Sequence, residues 1–162
     1  MRTSIKIVLG LIGLLVLAAA ALYFLRPGLL PRGAAEPTVS ASTQLITRGE
    51  YLARAGDCVA CHTIPNGPMF AGGRAMNTPF GSLYVPNITP DDETGIGQWN
   101  ADDFYRMMHN GLSRDGKLLY PAMPFASYSQ VTRADCDAIF AYLMSMAPVR
   151  QKKPRARTAL PV

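Results

Sequence analysis

The sequence predicts an all-α domain of short helices and long loops, preceded by an N-terminal transmembrane helix. Three observations predict this arrangement. The chain begins with an uncharged apolar run, it contains three segments with helical periodicity and capping residues, and proline- and glycine-rich stretches separate those segments. With 162 residues, the chain has room for one domain of about 100 residues and two additional ends.

The apolar run extends from Ile7 to Leu25 and is followed by Arg26 and Pro27. At 1.5 Å per residue it spans about 28 Å, which is close to the roughly 30 Å of bilayer hydrocarbon. A cleavable signal peptide is the alternative, but its apolar core is usually only about 7–15 residues long. We therefore expect residues 1–26 to form an uncleaved membrane anchor. Residues 27–42 are rich in proline, glycine and small side chains, and we expect them to form an extended tether.

The segment 58–62 reads Cys-Val-Ala-Cys-His, and Cys-x-x-Cys-His is the attachment site of c-type haem. Two intervening residues place both sulfur atoms on one side of a helical turn, at about the separation of the two porphyrin vinyl groups. The following imidazole then faces the iron, which transfers single electrons. We predict one covalent haem c bound through Cys58 and Cys61, with His62 as an axial iron ligand.

A zinc site and a thioredoxin-type dithiol are the alternative interpretations of this motif. Zinc needs two further ligands, and the candidates Cys136 and His109 lie far from the motif and from each other. A thioredoxin motif follows a strand, whereas the residues before Cys58 have a helical pattern. We interpret Cys136, on the apolar face of a predicted helix, as a small buried residue.

The first predicted helix of the domain leads directly into the motif. Thr47 and Glu50 form a capping box for a helix that runs to Asp57. The segment 63–90 has no sustained helical or strand period, so we predict a long loop around the haem edge, with one very short strand near 82–85. Such a loop is unusual in a compact domain unless a large cofactor supplies its packing surface.

Two further helices follow this loop. Asn100 caps a helix from Ala101 to Asn110, which ends at Gly111. Thr132 caps the last helix, and its apolar face repeats at i, i+3, i+4 and i+7. That face consists of Cys136, Ile139, Phe140 and Leu143.

An electron carrier of this kind needs a second axial ligand on the iron. Met123 lies in a loop between Pro121 and Pro124, and prolines fix φ and remove backbone donors. Such rigidity suits a ligand that must hold its position in both oxidation states. We predict Met123 as this ligand, with His109 and the other methionines as alternatives. A thioether ligand raises the reduction potential relative to two imidazoles.

The formal net charge of +5 comes from the ends of the chain. Seven basic and ten acidic side chains between Thr43 and Pro148 give the domain itself a net charge of −3. A nucleic-acid-binding protein carries its positive charge in the folded body, so we exclude that class. Residues 150–162 include five basic side chains, and we interpret them as a disordered tail. This tail binds anionic lipid, contacts an acidic partner or is simply solvated.

Six sequence blocks occur in a fixed order: GDCVACHT at 56–63, FAGG at 70–73, TPFG at 78–81, NITPD at 87–91, TGIGQW at 94–99 and YPAMPF at 120–125. Together they resemble the haem domain of the cytochrome c subunits of membrane-bound alcohol and aldehyde dehydrogenases. The resemblance implies a class I cytochrome c fold over residues 43–149, with haem on Cys58, Cys61, His62 and Met123. Those subunits typically carry three such domains, whereas this chain has one motif.

We therefore expect a membrane-tethered monohaem c-type cytochrome that transfers electrons and is not itself an enzyme. The resemblance implies a periplasmic dehydrogenase as electron donor, and another cytochrome, an oxidase or a quinone-linked complex as acceptor. The haem domain is expected on the periplasmic face of the cytoplasmic membrane, because haem is attached to this motif outside the cytoplasm. A haem sensor or small-molecule enzyme with an open iron site is the alternative, and ligation by Met123 distinguishes the two.

Overall fold

The structure is a computed structural model that describes residues 2–24, 41–79, 81–152 and 157–158. The chain divides into two compact units, residues 1–36 and 37–162. The predicted tether, residues 27–42, lies almost entirely outside the described residues. Its extended character and the predicted domain boundaries therefore stay predictions.

The first unit contains helix α1, Arg2–Phe24, where the sequence predicts a helix. Its large apolar side chains from Ile7 to Leu22 are more than half exposed. A membrane span has to match about 30 Å of hydrocarbon in both length and apolar character. None of the helices in the described part of the chain is long and apolar enough to cross a membrane. The predicted transmembrane helix is corrected accordingly: α1 is a helix with an exposed apolar surface.

The second unit is mainly helical, as predicted. Its described helices are α2 (Thr43–Ala55), α3 (Cys58–His62), α4 (Ala101–Asn110), α5 (Phe125–Tyr128) and α6 (Arg133–Met144). Its described strands are β1 (Ala75–Thr78), β2 (Gly81–Tyr84) and β3 (Arg157–Thr158). The strands form one small antiparallel sheet in the order β1-β2-β3.

Helix α2 begins five residues earlier than predicted, with Ser42 rather than Thr47 as its N-cap. Ser42 is its N-cap, and its Oγ accepts a hydrogen bond from the Leu45 amide at 3.2 Å. The Thr47 hydroxyl instead donates to the Thr43 carbonyl oxygen at 2.9 Å within the helix, so the predicted Thr47 cap was wrong. The additional turn carries Ile46 onto the core, and this burial favours the longer helix.

Helices α4 and α6 occupy the predicted positions. The Asn100 side chain and Asp103 form a reciprocal capping box at the start of α4, and Gly111 ends that helix in the left-handed region at φ 63°. Thr132 caps α6. The predicted apolar face of α6 is buried except for Phe140, which is half-buried and lies 5.5 Å, ring to ring, from Phe104.

The core lies where α2 crosses α6. Gly49 of α2 faces α6 so closely that a Cβ atom there would lie 1.9 Å from the Ala138 carbonyl oxygen. The buried core side chains come from both helices, from α4 and from the loop after α3. They include Ala53, Phe70, Phe104, Met108, Ile139 and Leu143.

The predicted short strand near 82–85 is present as β2, but β1 and β3 were not predicted. Pro79 and Gly81, with φ 126° at the glycine, close the β1–β2 connection tightly enough to form a hairpin. Strand β3 lies in the segment predicted to be disordered, and its Arg157 pairs with Ser82. Residues 153–156 and 159–162 of that tail lie outside the described residues.

Candidate haem-binding site

The Cys-x-x-Cys-His motif forms one helical turn, α3. The turn is preceded by Asp57 in the left-handed region at φ 57°, which turns the chain sharply after α2. Cys58 is half-buried and packs against the core, whereas Cys61 is exposed. Both thiols and the imidazole of His62 are therefore presented from a single turn at the end of the first helix of the domain.

The orientation of His62 is fixed by a backbone carbonyl. Its Nδ1 lies 2.9 Å from the Pro86 oxygen, and because that oxygen can only accept, Nδ1 donates the proton. Nε2 is then the nitrogen with a free lone pair, as an axial ligand requires. Burial lowers the pKa of His62 below its usual value, against the opposing effect of the bond to Pro86. The imidazole is thus held neutral, which is its metal-binding form.

Pro86 is in turn positioned by a buried polar network that begins at the next residue. Asn87 Oδ1 accepts from the Thr89 amide at 2.9 Å and from the Thr89 hydroxyl at 2.8 Å. Asn87 Nδ2 donates to the Val149 oxygen at 2.6 Å and to Thr94 Oγ1 at 2.9 Å. The network fastens the segment that follows α6 to the loop beside His62. In the sequence, Asn87, Thr89 and Thr94 appear only within two blocks of the family pattern, and nothing there indicates their contact with Val149.

Two glycines allow the chain to return close to the motif. The Gly72 amide donates to the His62 carbonyl oxygen at 2.7 Å, and the Gly73 amide donates to the Val85 oxygen at 2.8 Å. Gly72 has φ 73°, and a Cβ atom there would lie 2.4 Å from the carbonyl of Pro86. A side chain at this position would therefore push Pro86 away from His62.

Met123 lies in a turn whose backbone is hydrogen-bonded on both sides. Its amide donates to the Tyr120 oxygen at 3.1 Å, and its carbonyl accepts from the Phe125 amide at 2.8 Å. The side chain is half-buried and packs against the same core cluster as Cys58. The turn thus has the rigidity that the flanking prolines predict, and ligation by Met123 stays a prediction.

Two of the alternative iron ligands, His109 and Met108, are held by contacts of their own within the domain. His109 Nδ1 lies 3.1 Å from the Tyr105 oxygen, and its ring stacks on the Tyr105 ring at a centroid distance of 3.9 Å. Met108 is only 3% exposed and belongs to the core. Met107, Met144 and Met146 pack against the same core as Met123, whose place in a turn between two prolines sets it apart from them.

The zinc and dithiol interpretations find no support in the site. Across the described ranges, no three His, Cys, Asp or Glu side chains gather as ligands for a metal ion. Burial raises the pKa of the Cys58 thiol, whereas a redox dithiol needs a depressed pKa and a reactive thiolate. Cys136 is fully buried and burial raises its pKa to about 11, which confirms the predicted inert core residue.

The donor set fits a covalent haem. Two thiols on one helical turn provide the attachment points, and a neutral imidazole with a free Nε2 provides a proximal nitrogen. A thioether on a rigid turn provides a second axial donor. Cys58, Cys61, His62 and Met123 would thus hold the group.

Comparisons with known proteins identify the family of the domain. The family model described as cytochrome c matches residues 46–147. A nicotinate dehydrogenase subunit of Pseudomonas putida is 52% identical over 120 residues, which are 74% of this chain and 10% of the relative. The gluconate 2-dehydrogenase cytochrome c subunit of Pantoea cypripedii is 53% identical over 112 residues, 68% of this chain and 25% of the relative.

A third relative is the cytochrome c subunit of the quinone-type alcohol dehydrogenase of Gluconacetobacter polyoxogenes. It is 44% identical over 124 residues, which are 76% of this chain and 26% of that subunit. The chain thus spans between a tenth and about a quarter of the length of these three curated relatives.

Proposed function

The chain belongs to the cytochrome c family, and from that premise we propose that it is a membrane-attached monohaem carrier of single electrons. Its function is electron transfer and not substrate chemistry. The observation that carries the proposal is the bond from His62 Nδ1 to the Pro86 carbonyl oxygen, next to two thiols on one helical turn. This arrangement prepares a metal-binding imidazole beside two attachment points for haem.

The bound haem supplies reversible one-electron chemistry at its iron. Cys58 and Cys61 would hold the group in place, the Pro86 carbonyl orients the His62 imidazole, and burial favours the neutral form of that imidazole by lowering its pKa. Met123 would supply a second donor to the iron from a turn that is fixed by its own backbone bonds. Because the protein holds His62 and Met123 by backbone contacts, these donors would need little rearrangement when the iron changes its oxidation state. A closed sixth position favours a carrier over a sensor or enzyme with an open iron site.

Substitution of Met123 by Ala tests the sixth ligand. The oxidised variant is expected to lose the weak far-red methionine–iron absorption band and to bind carbon monoxide rapidly once reduced. The matched control is Met69→Ala, because Met69 is 39% exposed and removing its side chain leaves the turn at Met123 intact. Survival of the far-red band in the Met123 variant would show that another residue is the ligand.

Mass spectrometry of the intact protein is expected to show one haem per chain.

We infer that the electron donor is a dehydrogenase outside the cytoplasm, and that another cytochrome, an oxidase or a quinone-linked complex accepts the electron. The names of two relatives support this inference, since both are cytochrome c subunits of dehydrogenases. Each candidate donor is tested by mixing it with the oxidised carrier and following reduction of the haem. Each candidate acceptor is tested by mixing it with the reduced carrier and following oxidation of the haem.

Membrane attachment is proposed through the exposed apolar surface of α1, because a contiguous apolar patch of this kind marks contact with a membrane or a partner. Replacement of residues 1–40 by a cleavable signal peptide, which keeps the domain exported for haem attachment, is expected to move the haem protein from the membrane fraction to the soluble fraction. If the full chain is already found in the soluble fraction, the proposed attachment is wrong.

A further inference from the structure

Tyr128 links two segments that lie far apart in the sequence. It ends α5, the short helix that follows Met123, and its hydroxyl donates to the Gly56 carbonyl oxygen at 2.8 Å. Gly56 is the C-cap of α2 and directly precedes Asp57, the left-handed residue before α3. A side chain from the Met123 segment is thus bonded to the turn that presents the attachment cysteines.

The same carbonyl oxygen also faces Cys58. The Cys58 sulfur lies 4.0 Å from the Gly56 oxygen, at the outer limit of an S–H hydrogen bond. A Cβ atom at Gly56 would lie 3.7 Å from Cε1 of Tyr128 and 3.8 Å from the Cys58 sulfur, so the ring and the sulfur flank the same side of the turn. Formation of a thioether removes the S–H donor, and the Tyr128 hydroxyl then remains to hold the carbonyl.

The segment between Met123 and Tyr128 is fixed at its other end by Phe125. A Cβ atom at Gly111 would lie 2.7 Å from Cδ1 of Phe125, so the ring packs directly on the residue that ends α4. Tyr128 itself is half-buried against the core, and burial raises its pKa, which keeps the hydroxyl protonated as a donor. This short segment therefore packs on the end of α4 through Phe125 and bonds to the α2–α3 turn through Tyr128, and it also contains the predicted ligand Met123 at its start.

We propose that Tyr128 is a positioning residue that couples the Met123 segment to the turn carrying Cys58, so that its hydroxyl stabilises methionine ligation of the iron. The proposal rests on the proposed function, because it requires Met123 at the sixth position. Tyr128 touches neither the iron nor a redox partner in this scheme. It acts by holding the two halves of the site at a fixed separation.

The test replaces Tyr128 by Phe, which removes one oxygen atom and keeps the ring. The oxidised holoprotein is titrated with imidazole, and loss of the far-red methionine–iron band reports displacement of the ligand. The apparent imidazole Kd of Tyr128→Phe is expected to fall about 2- to 10-fold, as the loss of one hydrogen bond predicts. Haem content per chain is expected to stay unchanged. Tyr51→Phe is the matched control, because Tyr51 is 70% exposed, and its Kd is expected to equal that of the wild type.

An imidazole Kd that is equal in Tyr128→Phe and the wild type would overturn the proposal. A lower melting temperature without a change in imidazole Kd would overturn it as well, because that result assigns Tyr128 to general stability only. A failure of the proposed function can be told apart from a failure of this proposal. If the wild-type protein itself shows no far-red band, methionine ligation is absent and the proposed function is wrong, whatever Tyr128 does.

Discussion

The side-chain amide of Asn87 makes four hydrogen bonds although it is only 4% exposed. Its partners lie on Thr89, Thr94 and Val149, so one residue joins the loop after β2 to the segment after α6. A buried polar group is favourable only while its partners are present. Asn87 directly follows Pro86, whose carbonyl oxygen accepts from His62 Nδ1. Loss of the Asn87 hydrogen bonds would therefore also disturb the orientation of His62.

Replacing Asn87 by Ala leaves the Thr89 amide and the Val149 oxygen without that partner in a buried environment. The free energy of unfolding is expected to fall by about 2–4 kcal/mol, the sum expected for a few buried groups left unsatisfied. Chemical denaturation of the holoprotein measures the change. Asn110→Ala is the matched control, since Asn110 is exposed at the end of α4 and a change within about 0.5 kcal/mol is expected. Equal losses in both variants would contradict the role of the network.

Helices α2 and α6 approach each other through backbone contact at Gly49. The Ala138 carbonyl and the Cβ of Tyr142 occupy the space that any larger residue at position 49 would need. The ion pair between Arg48 and Asp135, at 2.6 Å, connects the same two helices at the surface. The close crossing therefore depends on one glycine more than on surface charge, because exposed ion pairs contribute little.

Gly49→Ala is expected to lower the free energy of unfolding by about 1–3 kcal/mol, because the added methyl group forces the two helices apart. In an open helix, the same change stabilises by roughly 1 kcal/mol through helix propensity. The sign of the change is thus diagnostic. A stabilised variant in thermal or chemical unfolding would show that the crossing is not as close as the structure has it.

The start of α2 can be tested by removing either of two candidate caps. Ser42→Ala removes the side chain that accepts from the Leu45 amide, so we expect a loss of about 0.5–2 kcal/mol in unfolding free energy. Thr47→Ala serves as the control, because Thr47 is exposed within the helix and its change is expected to stay within about 0.5 kcal/mol. If Thr47→Ala lowers the free energy of unfolding more than Ser42→Ala does, Thr47 is the N-cap, as the sequence predicts.

Over the whole domain, several carboxylates have a lowered pKa in the folded state. The Lys117 ammonium and the Ser113 hydroxyl lower the pKa of Asp115 to about 2. Bonds from Thr94 lower the pKa of Asp91, and bonds from Arg48 and Thr132 lower that of Asp135. A group whose folded pKa is depressed contributes stability above its unfolded pKa and loses it as the pH falls through the folded value.

The domain is therefore expected to lose stability progressively as the pH falls from about 4 toward 2. Urea unfolding of the holoprotein at a series of pH values between about 6 and 2 measures the effect. Asp115→Asn is expected to make the pH dependence shallower in the lower part of that window. A free energy of unfolding that is constant below about pH 4 in the wild type would contradict the expectation. Asp115 is exposed and Asp91 and Asp135 are partly exposed, so the effect is also expected to weaken at high salt.

The helices and the attachment motif could be predicted because their signals are local. The capping residues Asn100 and Thr132 and the left-handed Gly111 act within one turn, and the helices they bound are found where expected. The Cys-x-x-Cys-His spacing acts within five residues, and membership of the cytochrome c family confirms the predicted fold of the domain. Local chemistry of this kind is fully contained in a short stretch of sequence.

Only the tertiary structure decided which distant groups meet. The Pro86 carbonyl at His62, the Asn87 bond to Val149 and the Tyr128 bond to Gly56 each join residues between 24 and 72 positions apart. Such pairings have no periodic signal, because they depend on how helices cross and loops return. The earlier start of α2 has the same origin, since burial of Ile46 against the core outweighs the local preference for a cap at Thr47. A short sequence motif can thus predict which residues would hold a haem, whereas the groups that orient them are brought together by long-range packing.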